Sequence, residues 1–104
     1  MPGQHLYVIQ SRTTGAIKVG RSDDPEKRLR QLQTGCPNTL KLILVAENLG
    51  IQEKRVHHEL RRYKTRHDNG GEWFSEEGIG SIPVDIWELA KPWFLEDPDW
   101  WKRR

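Results

Sequence analysis

Cysteine occurs once in this 104-residue chain, at Cys36, so no internal disulfide can staple it and no multi-cysteine zinc site can form. No run of about 18 apolar residues is present, and no charged-then-apolar leader is seen. These absences lead to the expectation of a soluble, cytoplasmic protein with no membrane partner. Internal repeats, low-complexity segments and a phosphate-binding Gly-rich loop pattern are missing as well. Apolar residues are scarce, at 35% against 31% charged, yet charges of both signs and five tryptophans separate the composition from that of a disordered chain. The length suits one small core. Residues 1–80 read as that core, and residues 81–104 as a C-terminal helix with an acidic, Trp-rich tail packed on the same domain.

The small net charge of +2 hides a partition. Residues 1–66 hold 13 Lys/Arg against 6 Asp/Glu, residues 67–101 hold 1 against 9, and residues 102–104 add three positives. A basic two-thirds beside an acidic third suggests one face for a polyanion and another that avoids it, although solvated helices would show the same counts.

Along the chain, 6–10 (LYVIQ) and 17–20 (IKVG) read as two strands joined by the turn residues SRTTGA. Pairing Gln10 with Gly15 sets Tyr7 directly opposite Lys18, on one face. Ser22, Asp23 and Asp24 are candidate caps for a helix over 25–34, with Pro25 at its first position and Leu29 and Leu32 as its apolar stripe. Arg28 lies beside that stripe and can lean over the hairpin. Residues 40–46 (LKLILVA) are apolar enough for a central strand covered on both faces. Val56, Leu60 and Tyr63 predict a helix over 51–66, carrying six Lys/Arg and, on an adjoining edge, Glu53 and His57. The segment 67–74 reads as a turn followed by a short extended piece that inserts Trp73 and Phe74 as core plugs. Ser81 is the expected cap of a last helix over 83–91, with Ile86, Trp87, Leu89 and Ala90 inward.

Ile17–Gly35 is thus a strand, a turn and a basic helix, a frame that holds cations at fixed positions for phosphate. Phosphodiester hydrolysis needs a group that directs water, a cation for the developing charge, and usually a metal at the leaving oxygen. Tyr7, Lys18, Arg28 and Glu53 can fill these parts. Each is unremarkable singly, since strand tyrosines are usually core and helix arginines usually solvated. Their order is more specific. The succession LYVI, IKVG and DPEKRL resembles the GIY-YIG nuclease superfamily, with LYV in place of GIY and KVG in place of YIG. Glu53, His57 and then Gly71-Glu72-Trp73-Phe74 are similar to a compact phage and bacterial branch, which often has lysine at the second tyrosine position.

The resemblance covers about residues 5–74. It implies an α+β fold, a three-stranded antiparallel sheet flanked by helices, here with an extra C-terminal helix. The implied activity is a DNA endonuclease with a single Mg²⁺ or Mn²⁺ held by Glu53. Tyr7 would orient or deprotonate water, Arg28 would bind the scissile phosphate, and Lys18 would share water activation or bind phosphate. Leu6 replaces the first motif glycine, which bears on packing, and Lys18 replaces a tyrosine, which bears on mechanism. Glu59 and Glu72 stay open as metal ligands. Arg21, Lys27 and Arg55 are candidate phosphate or DNA contacts, and His57 and Glu72 are candidate supporting groups. Adjacent His57 and His58 point about 100° apart on a helix and cannot chelate one metal together. Two other functions stay open: a DNA-binding module of this fold that does not cut, and a protein-interaction domain using the Trp-rich end or a second copy of the chain.

Overall fold

A computed structural model of the chain describes residues 4–65 and 73–90. The expected turn over 67–72, including Glu72 and the Gly-Gly pair, and the tail from residue 91 onward lie outside the described residues. The strands are β1 (His5–Ser11), β2 (Ile17–Ser22), β3 (Leu40–Ala46), β4 (Lys64–Thr65) and β5 (Trp73–Phe74). The α-helices are α1 (Pro25–Thr34), α2 (Glu53–Glu59) and α3 (Val84–Leu89), supplemented by short 3₁₀ turns at Gly50–Gln52, Arg61–Tyr63 and Glu76–Ser81.

All strand pairs are antiparallel, in one five-stranded sheet ordered β3-β1-β2-β5-β4. The expected α+β class holds, but among the described residues the sheet has five strands instead of three, because two-residue strands at 64–65 and 73–74 extend it beyond β2. The extended piece at 73–74 was expected, but strands this short carry no readable alternation, so only tertiary pairing places them in the sheet.

β1 sits inside the sheet, and β3 occupies its edge, contrary to the central place expected from its sequence. The reason is coverage from both sides. Ile43, Leu44 and Ala46 join one cluster with Leu6, Val8, Ile17, Val19, Val56, Leu60, Phe74, Ile82 and Ile86. Leu40, Leu42 and Val45 join another with Tyr7, Ile9, Ala16 and Trp73, covered by Leu29, Leu32 and Cys36. An irregularity between Val8 and Ile9, where the partners step from Leu44 to Leu42, leaves Ile43 extra and turns it to the same side as Leu44. α1 therefore covers one sheet face, and α2, α3 and the 3₁₀ turn over 76–81 cover the other. Each fully buried aliphatic side chain here is worth about 1.5–3 kcal/mol.

Local signals fix the connections. Buried Gln10 donates from Nε2 to the Gly15 carbonyl at 2.9 Å, and the hairpin turns through Gly15 at φ 81°, a conformation that suits glycine. Gln33 staples the end of α1 to β3. Its Oε1 accepts from the Leu40 amide at 2.8 Å, and its Nε2 donates to the Asn38 carbonyl at 2.8 Å.

The second long helix is shorter than its periodicity predicts. α2 ends at Glu59, a 3₁₀ turn follows, and Lys64 and Thr65 become β4 in order to pair with Phe74 and Trp73. Sheet pairing overrides the helix propensity of RRYK. The last helix spans Val84–Leu89 with Pro83 as its N-cap residue, while the Ser81 hydroxyl donates to Tyr63 Oη at 3.3 Å instead of capping. Ile86 is buried as expected, whereas Leu89 is exposed.

Candidate active site

The hairpin register is Tyr7↔Gly20, Val8↔Val19, Ile9↔Lys18 and Gln10↔Ile17. Tyr7 and Lys18 share a face, the one covered by α1, but they sit diagonally instead of directly opposite. The expected pairing is shifted by two residues, since Gln10 pairs with Ile17 and a longer turn closes the hairpin. The residue opposite Tyr7 is Gly20, which belongs to β2 and not to a turn. A Cβ on Gly20 would lie 2.3 Å from Tyr7 Oη and 2.5 Å from its Cζ. The phenol therefore lies across the strand in space that only glycine leaves open. A glycine inside a strand signals such close approach, and that signal was available in IKVG.

α1 forms for the reasons its sequence implies. Asp24 is the cap that acts: its Oδ1 accepts from the Lys27 amide at 3.1 Å, and Pro25 opens the helix. Leu29 and Leu32 pack on the Tyr7 side of the sheet. That seating brings Arg28 to the Tyr7 hydroxyl, with its Nη1 also 3.4 Å from Gln31 Oε1. Burial is the main influence on the phenol and pushes its pKa above the ordinary value. Arg28 opposes that rise through a hydrogen bond and its charge, and the Glu53 carboxylate adds to it. Tyr7 is thus near both a cation from α1 and a carboxylate from the first residue of α2, although the two helices cover opposite faces.

Lys18 pairs with Trp73 across β2 and β5, and its Nζ is 6.0 Å from the Trp73 ring centre. The buried indole so serves as a platform for the lysine as well as core. Half-buried His57 lies one turn after Glu53; its Nε2 is 2.7 Å from the Val19 carbonyl, and its ring meets Phe74 edge-on at 5.4 Å.

The flanking candidates separate. Lys27 is exposed on α1, near Arg28. Arg21 pairs with Leu6, so strand alternation puts it on the other face from Tyr7 and Lys18. Arg55 makes a two-pronged ion pair with Asp85 of α3, at 2.9 and 3.2 Å, which joins two helices on the side away from α1. Glu59, a full turn from Arg55, acts on that arginine electrostatically and so faces the same side. Among the described residues no group of three or more His, Cys, Asp or Glu side chains converges to hold a metal ion. A single carboxylate such as Glu53 could hold a hard cation, because Mg²⁺ commonly keeps several waters and takes one or two carboxylates plus substrate phosphate.

A family model for the T5orf172 domain matches residues 4–95. The chain belongs to the T5orf172 domain family. This phage-associated domain is related to nuclease domains of the GIY-YIG and HNH types, which gives the chain a nuclease-like or DNA-related character. The T5orf172 match crosses the division drawn at residue 80 and includes α3. No curated protein and no solved structure matches the chain. Among the described residues of this T5orf172 domain, no helix is long and apolar enough to cross a membrane.

Proposed function

We propose that this domain is a GIY-YIG-type endonuclease that hydrolyses DNA phosphodiester bonds with one Mg²⁺ or Mn²⁺ held by Glu53. The observation that carries the reading is the Tyr7 phenol lying across Gly20 on the sheet face that α1 covers, shared with Lys18, with Arg28 and Glu53 both acting on its hydroxyl. A core tyrosine has no need of a cation from one helix and a carboxylate from another.

Because burial disfavours the phenolate, Tyr7 stays protonated near neutral pH and directs the attacking water by hydrogen bonding. The water oxygen attacks phosphorus while its proton passes to Lys18 in its neutral amine form; the ester P–O bond breaks, and the leaving oxygen takes up a proton from solvent. Arg28 donates to the non-bridging oxygens as charge grows there. Lys18, steadied on Trp73, adds a second positive charge or accepts the proton. A divalent cation on Glu53 would supply Lewis-acid stabilisation of the leaving oxygen. Lys27 extends the cationic surface along the DNA backbone, whereas Arg55 is committed to Asp85.

Plasmid nicking with Mg²⁺ or Mn²⁺ tests this reading. The parent protein is expected to cut, with Arg28→Ala and Glu53→Gln each reduced by about 10²–10³-fold. Equal cleavage by all three proteins would assign the activity to a contaminant. A non-cutting DNA-binding module is the second reading, kept open by Lys18 at a tyrosine position. Lys18 is compatible with both readings, and this one predicts strongly salt-dependent binding without cleavage under any metal.

A further inference from the structure

We infer that His57 is a positioning residue, which sets the separation of Tyr7 and Glu53 through its bond to the Val19 carbonyl. The 2.7 Å contact has a carbonyl oxygen at one end, which can only accept. Nε2 therefore carries the hydrogen. With that hydrogen in place it has no lone pair to bind a metal or abstract a proton, so this nitrogen is removed from both roles.

The accepting carbonyl belongs to the peptide that links Val19 to Gly20, and Gly20 is the residue on which the Tyr7 hydroxyl rests. On the helix side, His57 is four residues after Glu53, so both lie along one edge of α2. One hydrogen bond therefore ties the support of the phenol to the helical turn that presents the carboxylate. The imidazole edge against Phe74, at 5.4 Å and 63°, restrains the ring about its remaining torsion. Phe74 pairs with Ile17, next to the Lys18–Trp73 pair, so the same histidine braces the strand segment that carries Lys18. The kinetic consequence rests on the nuclease reading given above; the bond and its geometric effect do not.

The test compares the parent 104-residue chain, His57→Gln, whose amide can donate from nearly the place of Nε2, and His57→Leu, which keeps bulk without a donor. Imidazole ¹⁵N NMR of the parent is expected to show hydrogen on Nε2, and the Val19 ¹³C′ and Gly20 amide shifts are expected to move in His57→Leu and return in His57→Gln. In cleavage assays, His57→Leu is expected to lose about 10–100-fold in kcat, as outer-shell partners of catalytic groups commonly do, with KM for DNA within about twofold and substantial rescue by glutamine. Unchanged Val19 and Gly20 shifts in His57→Leu would overturn the inference. So would a bare Nε2 whose resonance broadens on Mn²⁺ addition, or a His57→Gln variant as inactive as His57→Leu despite a parent-like Gly20 shift. A parent protein that cuts no DNA defeats the nuclease reading and leaves the NMR signatures to decide the placement by themselves.

Discussion

Gly20→Ala is the substitution that most directly probes the site. The added methyl would meet Tyr7 Oη at 2.3 Å and Cζ at 2.5 Å, where ordinary contact begins near 3.4 Å, so the ring must move by about 1 Å. It cannot swing away cheaply, because Tyr7 is 2% exposed and packed among Ile9, Leu42, Val45 and Trp73. Overpacking of this kind costs about 1–3 kcal/mol. For a domain of this size that lowers Tm by roughly 4–24 °C, at roughly 4–8 °C per kcal/mol. Misplacing a reacting group by 1 Å lowers cleavage by about 10²-fold in the variant that remains folded at the assay temperature. Thermal unfolding by circular dichroism and plasmid nicking read the two effects separately. Gly35→Ala is the control, since a Cβ there meets nothing within 4 Å. A Tyr7→Leu/Gly20→Ala double variant should recover about 0.5–3 kcal/mol relative to the sum of the single changes, because shortening the side chain removes the clash. A Gly20→Ala protein as stable and as active as Gly35→Ala would refute the reasoning.

Further outcomes are expected elsewhere. The Tyr7 phenol has a folded pKa above its ordinary 10.0, so the stability it contributes is present below that pH and lost as pH rises through the folded value; the Tyr7→Phe protein should lose less stability in chemical denaturation as pH is raised above about 10. Arg28→Ala should raise the Tyr7 titration midpoint, followed by tyrosine ¹³Cζ NMR, because the arginine holds that midpoint down; an unchanged midpoint would place the guanidinium elsewhere. Lys18→Met should keep the fold yet reduce cleavage, with Trp73 fluorescence shifting as the ammonium leaves the indole. Arg55→Ala should leave nicking unaffected, since this arginine is held by Asp85 away from Tyr7; a large loss would bring it into the DNA path.

Much of the scaffold was legible from local chemistry. The Asp24-Pro25 start of α1 and the apolar run of β3 gave both elements with the observed bounds, because capping and apolar runs act over a few residues. The place of β3 was not legible. An edge strand covered on both faces, with a bulge that turns Ile43 beside Leu44, has the same composition as a central one. The C-terminal half of the expected helix over 51–66 failed for a related reason, since pairing of Lys64 and Thr65 with residues about ten positions ahead decides the backbone there.

The site divides along the same line. Tyr7, Lys18, Arg28 and Glu53 could be named from residue type and order, and strand alternation alone required an odd-sum register to keep Tyr7 and Lys18 on one face. Tertiary structure decided what those residues meet. It set Gly20, not Lys18, opposite the phenol, seated Lys18 on Trp73, tied His57 to the Val19 carbonyl and drew Arg55 to Asp85. Residue order determines which side chains a strand or helix can present, because alternation and helical pitch are local. Which of them touch depends on register and on how helices seat across two sheet faces, and those are set by the packing of the whole chain.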